Sequence, residues 1–143
     1  MTTTRKAIIV DMDGTLALMG DRSPYDDHLA GADKPNVPVM TIVKSVLHGD
    51  PSLHLIIMSG RDDGRSRDVT ADWLLRHDLF PTLLLMRPHR DFRKDAVIKR
   101  DLFDAHVAGQ YNVLAVFDDR QAVVDMWRHD LNLTVLQVAD GNF

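Results

Sequence analysis

The chain contains no cysteine, which excludes a disulfide framework, a zinc–thiolate site and a cysteine nucleophile. Long apolar runs are missing too: stretches such as Leu83 to Met86 fall far short of the ~20 residues that span a bilayer. The polar start, Met1 to Lys6, is followed by no apolar segment of signal-peptide length, so the expectation is a soluble, cytoplasmic protein. A strong positive charge is also lacking. The formal net charge is −4, which rules out coating nucleic acid by bulk electrostatics. There is no internal repeat, low-complexity tract or linker of domain-separating composition.

What is present fits one globular domain over residues 1–143. That length buries roughly two-thirds of the unfolded chain's surface, enough to fold without a metal or disulfide staple. Apolar residues make up 45% and charged residues 27%, close to the averages for soluble domains. Apolar runs recur, and each ends in polar residues. Ala7-Ile8-Ile9-Val10 stops at Asp11, Leu53 to Met58 at Ser59, Thr82 to Met86 at Arg87 and Val113 to Phe117 at Asp118, with Leu133 to Val138 as a last strand. Continuous runs of this kind suit strands covered on both faces.

Helical spacing lies between them: Val37 to Leu47 with Asn36 able to cap, Asp68 to Leu79, Asp95 to Val107, and Arg120 to His129. Trp73 and Trp127 fall on apolar helical faces and read as core. Strands alternating with helices predict an α/β fold, three layers with a mainly parallel sheet. The segment Leu16 to Pro35 is too long and too polar for a βα turn, and loops of that length usually carry function or are disordered.

Ligands bind open parallel sheets at the carboxyl ends of the strands, where three of the runs deliver Asp11, Ser59 and Asp118-Asp119. Asp11-Met12-Asp13-Gly14-Thr15 reads either as a hairpin turn or as a catalytic pair, one carboxylate attacking phosphorus while the other shuttles a proton. Ser59-Gly60-Arg61 is either an ordinary loop or a phosphate site at the start of a helix. The adjacent acids Asp118 and Asp119 repel each other unless a cation is present. With Asp11 they offer oxygen ligands for Mg²⁺, a role compatible with capping the next helix. Asp95 and Lys99 stand at i and i+4, as a surface ion pair or as part of a charge-balanced site. They lie in a stretch from Arg87 to Arg100 with six Lys/Arg against two Asp, which is a solvated helix face or a local anion site.

These elements, in this order, resemble the haloacid dehalogenase (HAD) superfamily of phosphotransferases. The strings IIVDMDGTLALMGDRSPYD, IIMSGRDDG, FRKDAVIK, FDDRQAVVDMWR and LQVADGNF are similar, more specifically, to the 3′-phosphatase domains of bacteriophage polynucleotide kinases, from about Ile8 to Phe143. The resemblance implies a Rossmann-like HAD fold with a short flap and no large cap domain. It implies Asp11 as nucleophile and Asp13 as general acid/base, with Mg²⁺ held by Asp11, the Asp13 carbonyl and Asp119 and supported by Asp118. Ser59, with Gly60, would bind phosphate. Lys99, held by Asp95, would be the neutralising lysine, preferred over Lys94 on alignment alone. Arg22 and Arg61 match arginines needed for activity.

The implied reaction is removal of 3′-phosphates, with 2′,3′-cyclic phosphates as a further class, from DNA or RNA ends in nucleic-acid repair. A separate kinase or ligase would be the partner, and a phage-encoded protein would work in the bacterial cytoplasm. No G-x-x-x-x-G-K-[ST] loop occurs, so 5′-kinase activity is not expected. With only residues 16–35 to cover it, the site should be open to a polymer end, with Tyr25 either stacking on a base or packing on the body. Two rival readings are a small-molecule phosphatase, for example of nucleoside monophosphates, and a catalytically silent module that binds nucleic-acid ends.

Overall fold

The computed structural model describes residues 5–143; the first four residues of the polar start lie outside the described residues. Strand β1 (Lys6–Val10) is the middle of a five-stranded sheet ordered β5-β4-β1-β6-β7, in which every neighbouring pair is parallel. The other strands are β4 (His54–Asp62), β5 (Leu83–Arg87), β6 (Asn112–Asp118) and β7 (Val135–Gln137). A separate antiparallel pair, β2 (Ala17–Leu18) with β3 (Lys34–Pro35), closes off the segment after Asp11.

The apolar run of β1 is continuous because both of its faces are buried. Ile8 and Val10 point to one side, where they meet Val39, Met40 and Val43 of α1 (Val37–Gly49) and Trp73 and Leu74 of α2 (Asp63–Arg76). Ala7 and Ile9 point to the other, against Ile98 and Leu102 of α3 (Asp95–His106), Val123 and Val124 of α4 (Gln121–Asp125), and Trp127. This alternation is the period-two geometry of a strand. It divides the interior into two apolar layers around one sheet, the three-layer α/β arrangement that the sequence predicts.

Two boundaries differ from the sequence reading. Strand β4 runs four residues past Met58, through Ser59-Gly60-Arg61-Asp62, with a register shift against β5 between Ser59 and Asp62. Ser59-Gly60-Arg61 therefore ends a strand instead of starting a helix. Helix α2 begins at Asp63, five residues before the expected Asp68, with the Asp62 carboxylate accepting from the Arg65 N–H at 3.0 Å as its cap. The charged string Asp-Gly-Arg-Ser-Arg-Asp hides that turn, because the one buried side chain in it, Ser66, is small and polar. The other correction is small: Asn36 occupies the cap position of α1 but its side chain makes no capping bond, and its N–H instead donates to the Leu16 carbonyl at 2.8 Å.

The strand order reverses at β1. The chain moves outward through β4 and β5, then crosses to the other side for β6 and β7. Such a switch point opens a crevice at the carboxyl edge of the sheet, with Asp11 at the end of β1, Ser59 in β4 and Asp118 at the end of β6.

Candidate active site

The residue after β1, Asp11, is 7% exposed, and its two oxygens face different partners. Oδ1 accepts from Lys99 Nζ at 2.8 Å, and Oδ2 accepts from Thr15 Oγ1 at 3.1 Å. Lys99 reaches in from α3, only 2% exposed, and also donates to Asp118 Oδ2 at 3.0 Å. Of the two candidate lysines, Lys99 lies at the site; Lys94 is exposed on the surface.

Two buried carboxylates, Asp11 and Asp118, therefore share one ammonium. Burial pushes the Asp11 carboxyl well above the ordinary carboxylate range; Lys99 pulls it down, and Asp118 and Asp119 add to the rise. Asp119 is raised as well, first by burial. For Lys99 burial works toward a lower value, but Asp11, Asp118 and Asp95 outweigh it and hold the ammonium charged. The site thus carries more negative charge than its own lysine balances, the condition that a bound cation relieves.

One oxygen from each of Asp11, Asp118 and Asp119 lies within 4.8 Å of the others, all three residues being buried. That donor set, all oxygen, fits a hard cation such as Mg²⁺. Asp118 is already heavily engaged: Oδ2 accepts from Lys99 and from Trp127 Nε1 at 3.2 Å, and Oδ1 from the Asp119 N–H at 2.9 Å. Asp11 and Asp119 accept fewer hydrogen bonds and are the freer of the three candidate ligands. Neither Asp118 nor Asp119 is a helix cap, since Arg120 takes the cap position of α4 and makes no side-chain capping bond.

The turn after Asp11 brings the second acid round. Gly14 has φ +80 and its N–H donates to the Ala17 carbonyl at 2.9 Å, while the Met12 carbonyl gathers the N–H groups of Thr15, Leu16 and Ala17. A β-carbon on Gly14 would overlap the Asp119 carboxylate, so this position needs glycine both for its left-handed backbone and for space. Gly14→Ala is expected to cost about 1–3 kcal/mol of stability and, by moving Asp119, on the order of 10²-fold in turnover. Thermal unfolding and steady-state rates on one preparation check both.

Asp13 is gripped by two arginines. Arg61 Nη2 donates to its Oδ1 at 2.7 Å and Arg61 Nε to Oδ2 at 3.0 Å, while Arg22 Nη2 donates to Oδ1 at 3.1 Å. Both arginines are in turn held by Asp33, which accepts from Arg22 Nε at 2.9 Å and from Arg61 Nη2 at 3.2 Å. Thr70 accepts from Arg61 Nη1 at 2.9 Å. Arg22 and Asp33 belong to the flap, residues 16–35, so the flap is built into the site. It is also tied to the body: Asp27 accepts the Asp62 N–H at 3.0 Å, and the Asp33 carbonyl accepts Trp73 Nε1 at 2.8 Å.

The expected Asp95–Lys99 pair does not form. Lys99 turns inward to Asp11 and Asp118, whereas Asp95 binds Arg87 Nη2 through one oxygen and Arg120 Nη1 through the other at 2.9 Å. Burial would raise Asp95, but Lys99, Arg120 and Arg87 together hold its carboxyl below the usual range. Asp95 acts on the lysine only as a nearby charge, and it sits where a β-carbon on Gly60 would overlap it. Ser59, buried beneath, accepts the Arg61 N–H on its hydroxyl at 3.1 Å. The basic stretch is no uniform patch either. Arg87 bonds the Gly60 and Asp91 carbonyls, Arg93 pairs with Asp91 and Asp101, and Arg100 pairs with Asp104.

Asp11, Asp13, Gly60, Arg61, Asp95, Lys99, Asp118 and Asp119 all line one pocket of about 670 Å³. Arg87, the first residue of the basic stretch, lines the same pocket with Arg120; Thr15, Asp33 and Arg120 belong to the site's framework and were given no role from the sequence. Thr15 stands four residues after Asp11 and Arg120 directly after the paired acids, so proximity to a motif was their one signal. Nothing near Asp33 in sequence marks it.

Residues 5–143 match the family described as the polynucleotide kinase PNKP phosphatase domain. A putative bifunctional polynucleotide kinase/RNA ligase of Autographa californica nuclear polyhedrosis virus is 39% identical over 136 residues, covering 93% of this chain but only 19% of that protein. Among solved structures, a chain of the Pnkp1/Rnl/Hen1 complex superimposes with a TM-score of 0.93 at 40% identity, over 99% of this chain and 48% of that one. A chain of the Pnkp1/Rnl/Hen1 RNA repair complex gives 0.92 at 40%, over 99% and 45%. This chain therefore spans under a fifth of the viral protein and about half of the solved chains. The viral relative comes from a baculovirus and not from a phage. The chain belongs to the polynucleotide kinase phosphatase family, and its fold is that of the family's phosphatase domain.

Proposed function

We propose that this phosphatase removes 3′-phosphates from nucleic-acid ends, with Mg²⁺, through an aspartyl-phosphate on Asp11. The observation that carries the reading is the buried Asp11–Lys99 pair, set beside the doubly clamped Asp13 in one pocket at the switch point of the sheet. The Asp11 carboxylate attacks phosphorus and the bond to the leaving O3′ breaks, while Asp13 delivers a proton to that oxygen. In the second half Asp13 takes a proton from water, the water oxygen attacks the phosphorus, and inorganic phosphate leaves with the Asp11 carboxylate regenerated.

Lys99 keeps the nucleophile's charge tolerable in a buried setting and faces the incoming phosphate. Arg22 and Arg61 fix the position of Asp13. Arg61 and Gly60 form the wall on which phosphate oxygens settle, with Ser59 buried behind them. Asp11, the Asp13 carbonyl and Asp119 would hold Mg²⁺, oriented by Asp118; when bound, the ion supplies positive charge against that developing on the phosphoryl group.

The match to polynucleotide kinase phosphatases and the shortness of the flap, residues 16–35, favour a polymer end as substrate. RNA ends are supported by relatives whose solved assemblies are described as RNA repair complexes. A ligase, and a kinase activity on another domain or chain, would act on the ends this protein prepares, in the cytoplasm. The test is phosphate release from a 3′-phosphorylated oligonucleotide, with and without Mg²⁺, beside its 5′-phosphorylated counterpart. Release from the 3′ end alone, and only with Mg²⁺, is expected. Survival of the 3′-phosphate while 5′-phosphates or sugar phosphates are cleaved overturns the assignment. Mg²⁺ should also raise the melting temperature, by an amount that grows with its concentration, and a melting temperature indifferent to Mg²⁺ contradicts the proposed ligand set.

A further inference from the structure

The mouth of the pocket carries aromatic rings that the chemistry does not use. Tyr25 of the flap is 84% exposed, Phe92 of the loop between β5 and α3 is 91% exposed, and Phe143 is 68% exposed. All three line the pocket that contains Asp11, and they come from three separate segments. Tyr25 does not pack on the body, although its backbone is anchored: its carbonyl accepts from Arg65 Nη2 at 3.2 Å. Phe143 stands against the Arg120 guanidinium, 5.1 Å from ring centre to cation, and its carbonyl accepts Arg120 Nε at 2.9 Å. The Phe92 ring makes no aromatic or cation contact among the described residues.

Exposed phenylalanine is unfavourable in water, and scattered single instances need no explanation. Convergence on the rim of one polar pocket is different. Cations are interleaved with the rings: Arg65, Arg93 and Arg120 line the same pocket and keep 45%, 51% and 38% of their side-chain surface exposed. Rings presenting free faces between partly exposed arginines are the pattern of single-stranded nucleic-acid grooves. There bases stack and the backbone is held by charge. A lipid surface would ask for a wider apolar face without carboxylates beneath it, and a protein partner would cover the acids that have to reach substrate.

Resting on the phosphatase reading above, we infer that Phe92, with Tyr25 and Phe143, is a base-stacking rim that selects single-stranded polynucleotide 3′ ends over mononucleotides and over base-paired ends. A mononucleotide offers no preceding base to the outer rings. A paired end keeps its bases stacked on each other and must unstack before it can use them.

Phe92→Trp supplies a direct readout, because the native Trp73 and Trp127 are 1% and 0% exposed and the Asp11→Asn protein with Phe92 intact gives their response alone. In the Phe92→Trp, Asp11→Asn protein, titration with a single-stranded 3′-phosphorylated hexanucleotide is expected to quench the new fluorescence in a saturable way. A blunt duplex of the same sequence should need about tenfold more. In the Asp11 enzyme, Phe92→Ala is expected to lower the ratio of kcat/KM for the hexanucleotide to that for a 3′-mononucleotide by about tenfold, one stacked base's contribution. Phe92→Tyr should restore it. Absence of quenching, equal quenching by duplex, or an unchanged ratio each overturns the rim. Quenching needs no turnover, so a protein that binds the hexanucleotide through residue 92 but hydrolyses no ester would sink the phosphatase reading and leave the rim standing.

Discussion

Asp11→Asn is expected to lower turnover by a factor on the order of 10⁴–10⁶, judged from other enzymes stripped of a nucleophile or its activating partner, and to leave the protein folded. The amide keeps the shape of the carboxylate, so Thr15 and Lys99 retain a partner at this position, but it cannot form the aspartyl phosphate. The fold should not suffer, for a reason that follows from linkage. Burial raises the Asp11 pKa above its ordinary 3.8, so the folded state holds that proton more tightly than the unfolded chain. Stability from this group is present at low pH and falls as pH rises from about 4 through the folded value. At pH 7 without Mg²⁺ the buried Asp11 carboxyl is therefore a burden on the fold, and its neutral replacement should melt at the same temperature or higher. A stable variant with retained turnover would remove Asp11 from the chemistry. An inactive variant that is also unfolded would remove the argument about buried charge.

Lys99→Met should be the most damaging of these changes to the fold itself. Lys99 is 2% exposed and holds two buried carboxylates, Asp11 and Asp118. Removing one member of a buried ion cluster typically costs about 3–5 kcal/mol, because the opposite charges are left unpaired in a poor dielectric. For a chain of this size that lowers the melting temperature by on the order of 10 °C. The lysine's pKa is raised, so its contribution is complete below the ordinary lysine value of 10.5 and is lost only as pH rises beyond it. The deficit of the variant is therefore present throughout pH 6 to pH 9 and should grow with pH, because Asp11, no longer held down by Lys99, binds its proton more tightly in the folded variant than in the parent. Turnover should fall too, since Asp11 can then escape its charge by keeping its proton. A shift of under 2 °C would mean that the cluster is better solvated than its burial indicates.

Both predictions concern residues visible in the sequence, and the reason is physical. Strands buried on two faces must be apolar throughout, so the first carboxylate after such a run marks the sheet edge where ligands bind; Asp11 and Asp118 stand out by that rule alone. The bulged end of β4 did not, because Ser59 to Asp62 is polar and reads as loop once the strand pattern stops. The start of α2 was hidden in the same polar string. Asp95 and Lys99 show the limit of local rules. Their helical spacing suggests a pair, yet a surface pair is worth little, and Lys99 finds two buried carboxylates across 88 and 19 residues of sequence. Asp33 was illegible for the same reason. Its partners, Arg22 and Arg61, come from the flap and from β4, and only the folded chain brings them together.

The measurement that bears most directly on the account is acid quenching of the enzyme during turnover of an oligonucleotide carrying a radiolabelled 3′-phosphate, followed by peptide mapping. The prediction is protein-bound label that survives acid, is released by hydroxylamine as an acyl phosphate should be, maps to the peptide containing Asp11, and is absent from the Asp11→Asn protein. Turnover with no trapped label at any time point, or label mapping to a peptide without Asp11, would contradict it.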